Sequence, residues 1–245
     1  MTNKNRKTTC NFIGFLICLL LIGSCKPDKN PPVVAQETGT VEDIDGNSYK
    51  TIKIGNQWWM VENLKVTKFR NGNTIPNVTD DSAWQNNSAA CCLYQNDPTS
   101  PGLLYNWFAV TDSENIAPAG WHIPTDEEWK ELERYAGMAD GAEDKSGWRG
   151  TNEADKLKAA APIGWTQFEE VWGTDSLGFT ALAGSCRLTN GSWGAPGLFA
   201  TGFWWTSSEY SSTEAWFRYI DYKKSTIFRS SCPKNYGYSI RCVKD

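Results

Sequence analysis

Apolar residues are distributed along this chain in three different ways. Residues 12–22, FIGFLICLLLI, are one unbroken apolar run behind Lys4, Arg6 and Lys7. The run is shorter than the roughly 20 residues a membrane span needs. A short run behind a basic start predicts an export signal. From residue 41 the pattern changes to alternation. VEDIDGNSYKTIKIGNQWWMVENL sets the strand formers Tyr49, Ile52 and Ile54 around Asp45-Gly46-Asn47 and Gly55-Asn56. Such turn residues tolerate positive φ, so short strands joined by tight turns are expected. Residues 70–104 are loop-rich, with Asn71-Gly72-Asn73, Asp80-Asp81, Asn86-Asn87 and Asn96-Asp97-Pro98. A helical period enters at Pro124-Thr125-Asp126-Glu127-Glu128. Thr125 and Glu128 make a capping box, and Asp126 and Glu127 suit the positive end of a helix dipole. Trp129, Leu132 and Ala136 then recur at helical spacing and are predicted to face the core. A shorter helix is expected over residues 153–160. Beyond Gly178 alternation returns in FTALAGSCRLTNGSW, GLFATGFWWTSSE, EAWFRYIDY, TIFRSS and YGYSIRCVKD, separated by turn residues. There is no internal repeat and no coiled coil.

The apolar run ends in Ile22-Gly23-Ser24-Cys25, which resembles a bacterial lipobox. Small residues give a signal peptidase access to the backbone, and the Cys25 thiol takes up lipid. Residues 1–24 are therefore expected to be a lipoprotein signal peptide. Residues 25–40 are expected to be the lipidated cysteine and a flexible tether, because KPDKNPPVVAQETGT has three prolines and little apolar surface to offset ordering. Residues 41–245 form the domain. Localisation follows: the cell envelope, lipid-anchored, with Lys26 rather than Asp after Cys25 pointing to the outer membrane, facing periplasm or exterior.

Charge removes one class of partner. The chain carries −4. Residues 1–24 hold three bases and no acids, so the processed form carries −7. No basic run remains to track phosphates, which argues against nucleic acid. Thirteen tryptophans are many for this length, and most are expected to be core pillars.

Several long strings carry a family resemblance: GNSYKTIKIGNQWWMVENL (46–64), LYNWFAV (104–110), PAGWHIPTDEEW (118–129), ADKLKAAAPIGW (154–165), GTDSLGFTALAGSCR (173–187), FWWTSSE (203–209) and YGYSIRCVKD (236–245). In order and spacing they resemble the Fibrobacter succinogenes major paralogous domain family over nearly all of residues 41–245. That family is a bacterial exported domain, often on lipoproteins, without an established molecular activity. IPTDEEW is also similar to a string of formylglycine-generating-enzyme-like domains, which have the C-type lectin-like fold. The resemblance implies an irregular α+β, C-type-lectin-like domain: a twisted antiparallel sheet with two short helices and long loops.

Candidate chemistry is sparse. Five cysteines remain in the domain, and export makes disulfides plausible. Set against the resemblance, Cys92 is expected to pair with Cys242 and Cys186 with Cys232, leaving Cys91 free. No CxxC is present, and with one histidine a zinc site is not expected. His122, in a string the resemblance already covers, is expected to pack and hydrogen-bond rather than act as a base. No GxSxG elbow is present. Asp43-Ile44-Asp45-Gly46-Asn47 superficially resembles a calcium loop, but Ile54 or Asn56 stands where the bidentate glutamate belongs, so a hairpin turn is expected. Asp80, Asp81, Asn96 and Asp97 lie in loops of the kind lectin-like folds use for calcium and are the metal candidates. Neighbours on a strand face opposite sides, so one of Trp204-Trp205 is expected inside and the other is open to a ligand role, although packing for both is the commoner outcome. Trp193, Trp205 and Tyr210 are the candidate ligand contacts. The expected function is a membrane-anchored, non-catalytic recognition domain for glycan or protein. The alternative is an enzyme of the formylglycine-generating type or a hydrolase.

Overall fold

The computed structural model describes residues 36–161, 163–194 and 197–245. The signal segment, Cys25 and the tether up to residue 35 lie outside the described residues. Two antiparallel sheets organise the domain. The first contains β1 (Thr38–Glu42), β2 (Ser48–Ile54), β3 (Gln57–Met60), β6 (Trp121–His122) and β11 (Val243–Lys244), in the order β1-β2-β3-β11-β6. The second contains β7 (Gly147–Arg149), β8 (Thr201–Glu209), β9 (Glu214–Asp221) and β10 (Ile227–Pro233), in the order β7-β10-β9-β8. A small ribbon pairs β4 (Cys91–Cys92) with β5 (Leu104–Tyr105). Four short helices, α1 (Asp81–Trp84), α2 (Trp107–Val110), α3 (Asp126–Tyr135) and α4 (Glu153–Leu157), complete an α+β architecture dominated by sheet.

β1 starts earlier than the alternation suggests. Thr38 pairs with Ile52 and Thr40 with Lys50, so the last residues of the expected tether are sheet. Between β1 and β2 the Asp43 carboxylate accepts from the backbone N–H of Asp45 and Asn47 and from the Asn47 side chain. It also accepts from the Tyr49 hydroxyl at 2.6 Å. Gly46 at φ 81° completes the turn, which is the expected hairpin.

The best-marked helix forms as its sequence dictates. The Thr125 hydroxyl accepts from the Glu128 N–H, and Glu128 returns a carboxylate oxygen to the Thr125 N–H. Trp129, Leu132 and Ala136 are buried. Two helices were not expected: α1 and α2 are single turns, capped by the side chains of Asp80 and Asn106. The last helix is shorter than expected. It stops at Leu157 because Lys158 turns extended and bridges Ala181.

α3 packs on one face of the second sheet. That face presents Trp204, Ile220 and Ile227, which join Trp59, Trp129 and Phe179 in one core cluster. It also presents Arg149, Arg218 and Arg229, all buried. Arg229 stands directly opposite Arg218 in the β9–β10 register. Like charges in that position repel. Asp126 and Glu133, two turns apart on α3 and so on one face, lie between them. Asp126 accepts from Arg218 at 2.7 Å and from Arg229 at 2.6 and 2.9 Å. Glu133 accepts from Arg218 at 2.6 Å and Arg149 at 2.8 Å. Burial raises the Asp126 pKa, but the Arg229 hydrogen bonds and the two guanidinium charges outweigh it and hold the carboxyl at about 2.

The opposite face of this sheet is covered only in part, with Trp148 exposed at one edge and Phe203, Tyr219 and Phe228 half-buried. Trp148, Phe228, Tyr219 and Phe203 form a row across all four strands, with Phe203 stacked on Tyr219 at 4.5 Å. Trp205 packs there on Tyr238 and is fully buried, its indole N–H donating to the Tyr105 carbonyl. Trp205 as a candidate ligand contact is therefore corrected, and the commoner outcome, packing for both tryptophans, holds. The two tryptophans do alternate, but a core lies on each side.

The expected disulfides are also absent among the described residues. Cys91, Cys92, Cys186, Cys232 and Cys242 are all free thiols and buried. Cys92 packs with Trp84 and Tyr94, whereas Cys242 packs in a different cluster with Tyr49 and Met60. Cys232 instead contacts the Tyr238 hydroxyl at 3.4 Å.

Thr125→Ala should destabilise the domain by about 1 kcal/mol through the lost cap. Trp129→Ala should cost about 3–5 kcal/mol through the cavity left beside Trp59 and Phe179. Denaturant melts of both variants test this, and equal small losses would contradict it.

Candidate functional site

The single histidine is fully engaged. His122 Nε2 lies 2.7 Å from Glu128 Oε1, and Nδ1 lies 2.7 Å from Asp245 Oδ1. The Glu128 hydrogen bond, against partial burial and helped by Asp245, pushes the imidazole up to about 9. At neutral pH it is an imidazolium held by two carboxylates, with no free nitrogen to take a proton. It borders an open cleft of about 320 Å³ with Asp112, Asn115 and Ser207, but a positively charged ring cannot activate Ser207 as a base would.

The thiols are no better prepared for chemistry. Burial pushes Cys91 and Cys186 up to about 12, Cys92 to about 11, and Cys232 and Cys242 higher still. A reactive cysteine needs the reverse, a depressed pKa and access to solvent.

The metal candidates do not converge. Asp80 caps α1, accepting from the Ala83 N–H and the Ser82 hydroxyl. Asp81 pairs with Arg187 at 3.1 Å. Asp97 closes a turn on the Thr99 N–H and hydroxyl, and Asn96 adopts φ 58° in the 3-10 turn before it, Tyr94–Asn96. Among the described residues no group of three His, Cys, Asp or Glu side chains is placed to share one ion.

The candidate ligand contacts separate as well. Trp205 is core. Trp193 is half-buried, packed edge-on to Tyr94 at 5.3 Å and against the Arg187 guanidinium at 4.8 Å. Tyr210 is 56% exposed at the turn between β8 and β9. Its ring meets Trp216 edge-on at 4.9 Å, which fixes its orientation. Two and three residues further along this turn, Ser212 and Thr213 line an open cleft of about 250 Å³ with Asn87, Phe108, Pro233, Lys234 and Asn235; Tyr210 does not line it. Ser212 and Thr213 belong to the Tyr210 turn. Lys234 ties the cleft to that turn through Glu209 and the Ser212 carbonyl, and its ammonium lies 4.6 Å from the Trp107 ring. The cleft thus joins amides, hydroxyls, one cation and the Phe108 ring, and the Tyr210 ring stands on the same turn. The sequence marks Tyr210 and shows Asn86-Asn87 only as loop residues, and nothing in it signals Phe108 or Lys234, which reach the site only through the fold.

A family model, the Fibrobacter succinogenes major domain, matches residues 52–244. The chain belongs to the Fibrobacter succinogenes major domain family. Neither a curated protein nor a solved structure matches it. In this member of the Fibrobacter succinogenes major domain family, His122, Glu128, Asn87, Phe108, Tyr210 and Lys234 all fall inside the matched region.

The His122 contacts give a signed pH dependence. An imidazole raised from 6.5 to about 9 contributes stability that is complete below pH 6.5 and is lost as pH rises through 9. The difference in melting temperature between the native chain and His122→Gln should therefore shrink from pH 6.5 to 9.5. A difference that stays constant over that range would contradict the bridging imidazolium.

Proposed function

We propose that this chain is an envelope lipoprotein, anchored through Cys25, whose domain recognises a ligand without transforming it. The observation that carries the reading is the exposed Tyr210 on the turn whose Ser212 and Thr213 line the cleft with Asn87, Lys234 and Asn235. An aromatic face stacks on the apolar face of a sugar ring, while amides, hydroxyls and an ammonium hydrogen-bond its hydroxyl groups. A glycan fits this set best. The cleft is open and polar-rimmed, on loops held by a rigid frame, as recognition sites commonly are. The engaged His122 and the buried, protonated thiols favour binding over an enzyme of the formylglycine-generating type or a hydrolase. Two antiparallel sheets, a capped helix packed on one of them and long loops support a C-type-lectin-like fold as the frame. The apolar run before Gly23-Ser24-Cys25 supports the anchor and, with Lys26 following, an outer-membrane address.

Cys25→Ala should release the protein from the membrane fraction or leave it unprocessed. A variant that stays membrane-bound with residues 1–24 removed would contradict the anchor.

Binding is tested on a glycan and peptide array, with and without calcium. Tyr210→Ala should abolish the glycan signal while leaving the melt unchanged, because the ring is exposed. Retained binding in that variant would displace the site from this cleft.

A further inference from the structure

A second exposed surface lies at the other end of the β8–β9 hairpin. Ile163 is 64% exposed, Phe199 57% and Trp172 42%. The backbone gathers them. The Thr166 N–H donates to the Phe199 carbonyl at 2.7 Å, and the Ala161 N–H to the Gly173 carbonyl at 3.2 Å. The Tyr222 N–H donates to the Ala200 carbonyl at 2.9 Å, and the Tyr222 ring meets Phe168 edge-on at 5.7 Å. Large apolar side chains grouped on a surface mark a contact with something apolar.

The place where the tether joins the domain says what that is. Gln36, the first described residue, donates through its side chain to the Leu177 carbonyl at 3.0 Å. Leu177 is five residues beyond Trp172 on the same loop. From Cys25 to Gln36 is eleven residues, which can span at most about 40 Å. A lipid at Cys25 therefore keeps the membrane within reach of this surface at a high effective concentration.

We propose that Ile163, Trp172 and Phe199 form a membrane-contacting patch that seats the domain on the lipid surface holding its own anchor. This rests on the reading of Cys25 as the lipidation site. Tryptophan and phenylalanine at such a surface enter the headgroup boundary. Exposed Lys223 and Lys224 on the adjoining turn reach the headgroups. Exposed Glu169 and Glu170 on the 161–173 loop balance their charge, so apolar insertion drives the contact and salt does not disrupt it. β8 is nine residues long and separates the patch from the Tyr210 turn by about 30 Å. Seating the patch on lipid turns the cleft away from the membrane.

The test uses the chain from Lys26, held by an amino-terminal histidine tag on phosphatidylcholine vesicles containing a nickel-chelating lipid. This attachment makes the result independent of acylation in the cell. An environment-sensitive fluorophore is placed by Ile163→Cys or, as the distal control, by Tyr210→Cys; the native domain thiols are buried. Emission at position 163 should shift to the blue on vesicles and be quenched several-fold more by a lipid-borne spin label than emission at position 210. The shift should persist in 1 M salt and vanish with Trp172→Ser and Phe199→Ser together. Equal emission at both positions would overturn the proposal. So would a blue shift that grows with protein concentration in the absence of vesicles, which would make the patch a contact between copies. The intact mass of the membrane-extracted native chain reads Cys25 separately. A missing acyl group there would defeat the anchor and leave the vesicle result standing on its own.

Discussion

Two arginines stand opposite one another in the buried interior of a sheet, and the arrangement holds only because a helix supplies two carboxylates between them. Arg218 and Arg229 would repel across the β9–β10 register. Asp126 and Glu133 turn that repulsion into a cluster that also holds Arg149. Geometry makes this docking specific. The carboxylates sit two helical turns apart, the arginines sit on adjoining strands, and a slip of one residue in any strand would send a guanidinium to the aromatic face. The ring of Trp129, one turn beyond Asp126, lies 5.9 Å from the Arg218 guanidinium and continues the contact into the apolar core. Everything proposed about function depends on the result, because it fixes the long hairpin that carries the cleft at one end and the apolar patch at the other.

Part of this arrangement was legible in the sequence. Thr125, Glu128 and the Trp129-Leu132-Ala136 spacing are local signals, and local signals survive into the fold. So does the Asp43 turn, whose carboxylate serves neighbours two to six residues away. The ion cluster was not legible. Its partners lie 92 and 103 residues apart, and nothing near Arg218 or Arg229 signals a buried partner. The sequence marks Asp126 as a helix-start residue, which it is, while its larger role is tertiary. Trp205 shows a different limit. Alternation correctly sent it to the face opposite Trp204, but alternation says nothing about whether that face is covered. The cysteines show a third. Resemblance-based pairing cannot see that Cys92 and Cys242 pack in separate clusters.

The candidate site was legible in one residue only. Tyr210 follows a strand-like string and precedes Ser211-Ser212-Thr213, so a position on an exposed turn is readable. The cleft beyond its turn is lined from residues 87, 108, 212–213 and 233–235, and only the topology brings them together. The same holds for the apolar patch, assembled from residues 163, 172 and 199. Both surfaces lie on loops. The buried residues between them and the salt-bridged helix form a frame stiff enough to hold two ends of one hairpin in a constant relation.

The dependence on the cluster is measured most directly with Asp126→Asn, a nearly isosteric change that removes the charge and leaves the volume. With Arg218 and Arg229 left facing one another, the folding free energy in urea should fall by about 3–5 kcal/mol. Hydrogen exchange should rise at the backbone amides of α3 and of β9 and β10 together. A loss below about 1 kcal/mol with unchanged exchange in both strands would show that apolar packing alone docks the helix, and that the ion cluster is incidental to the fold.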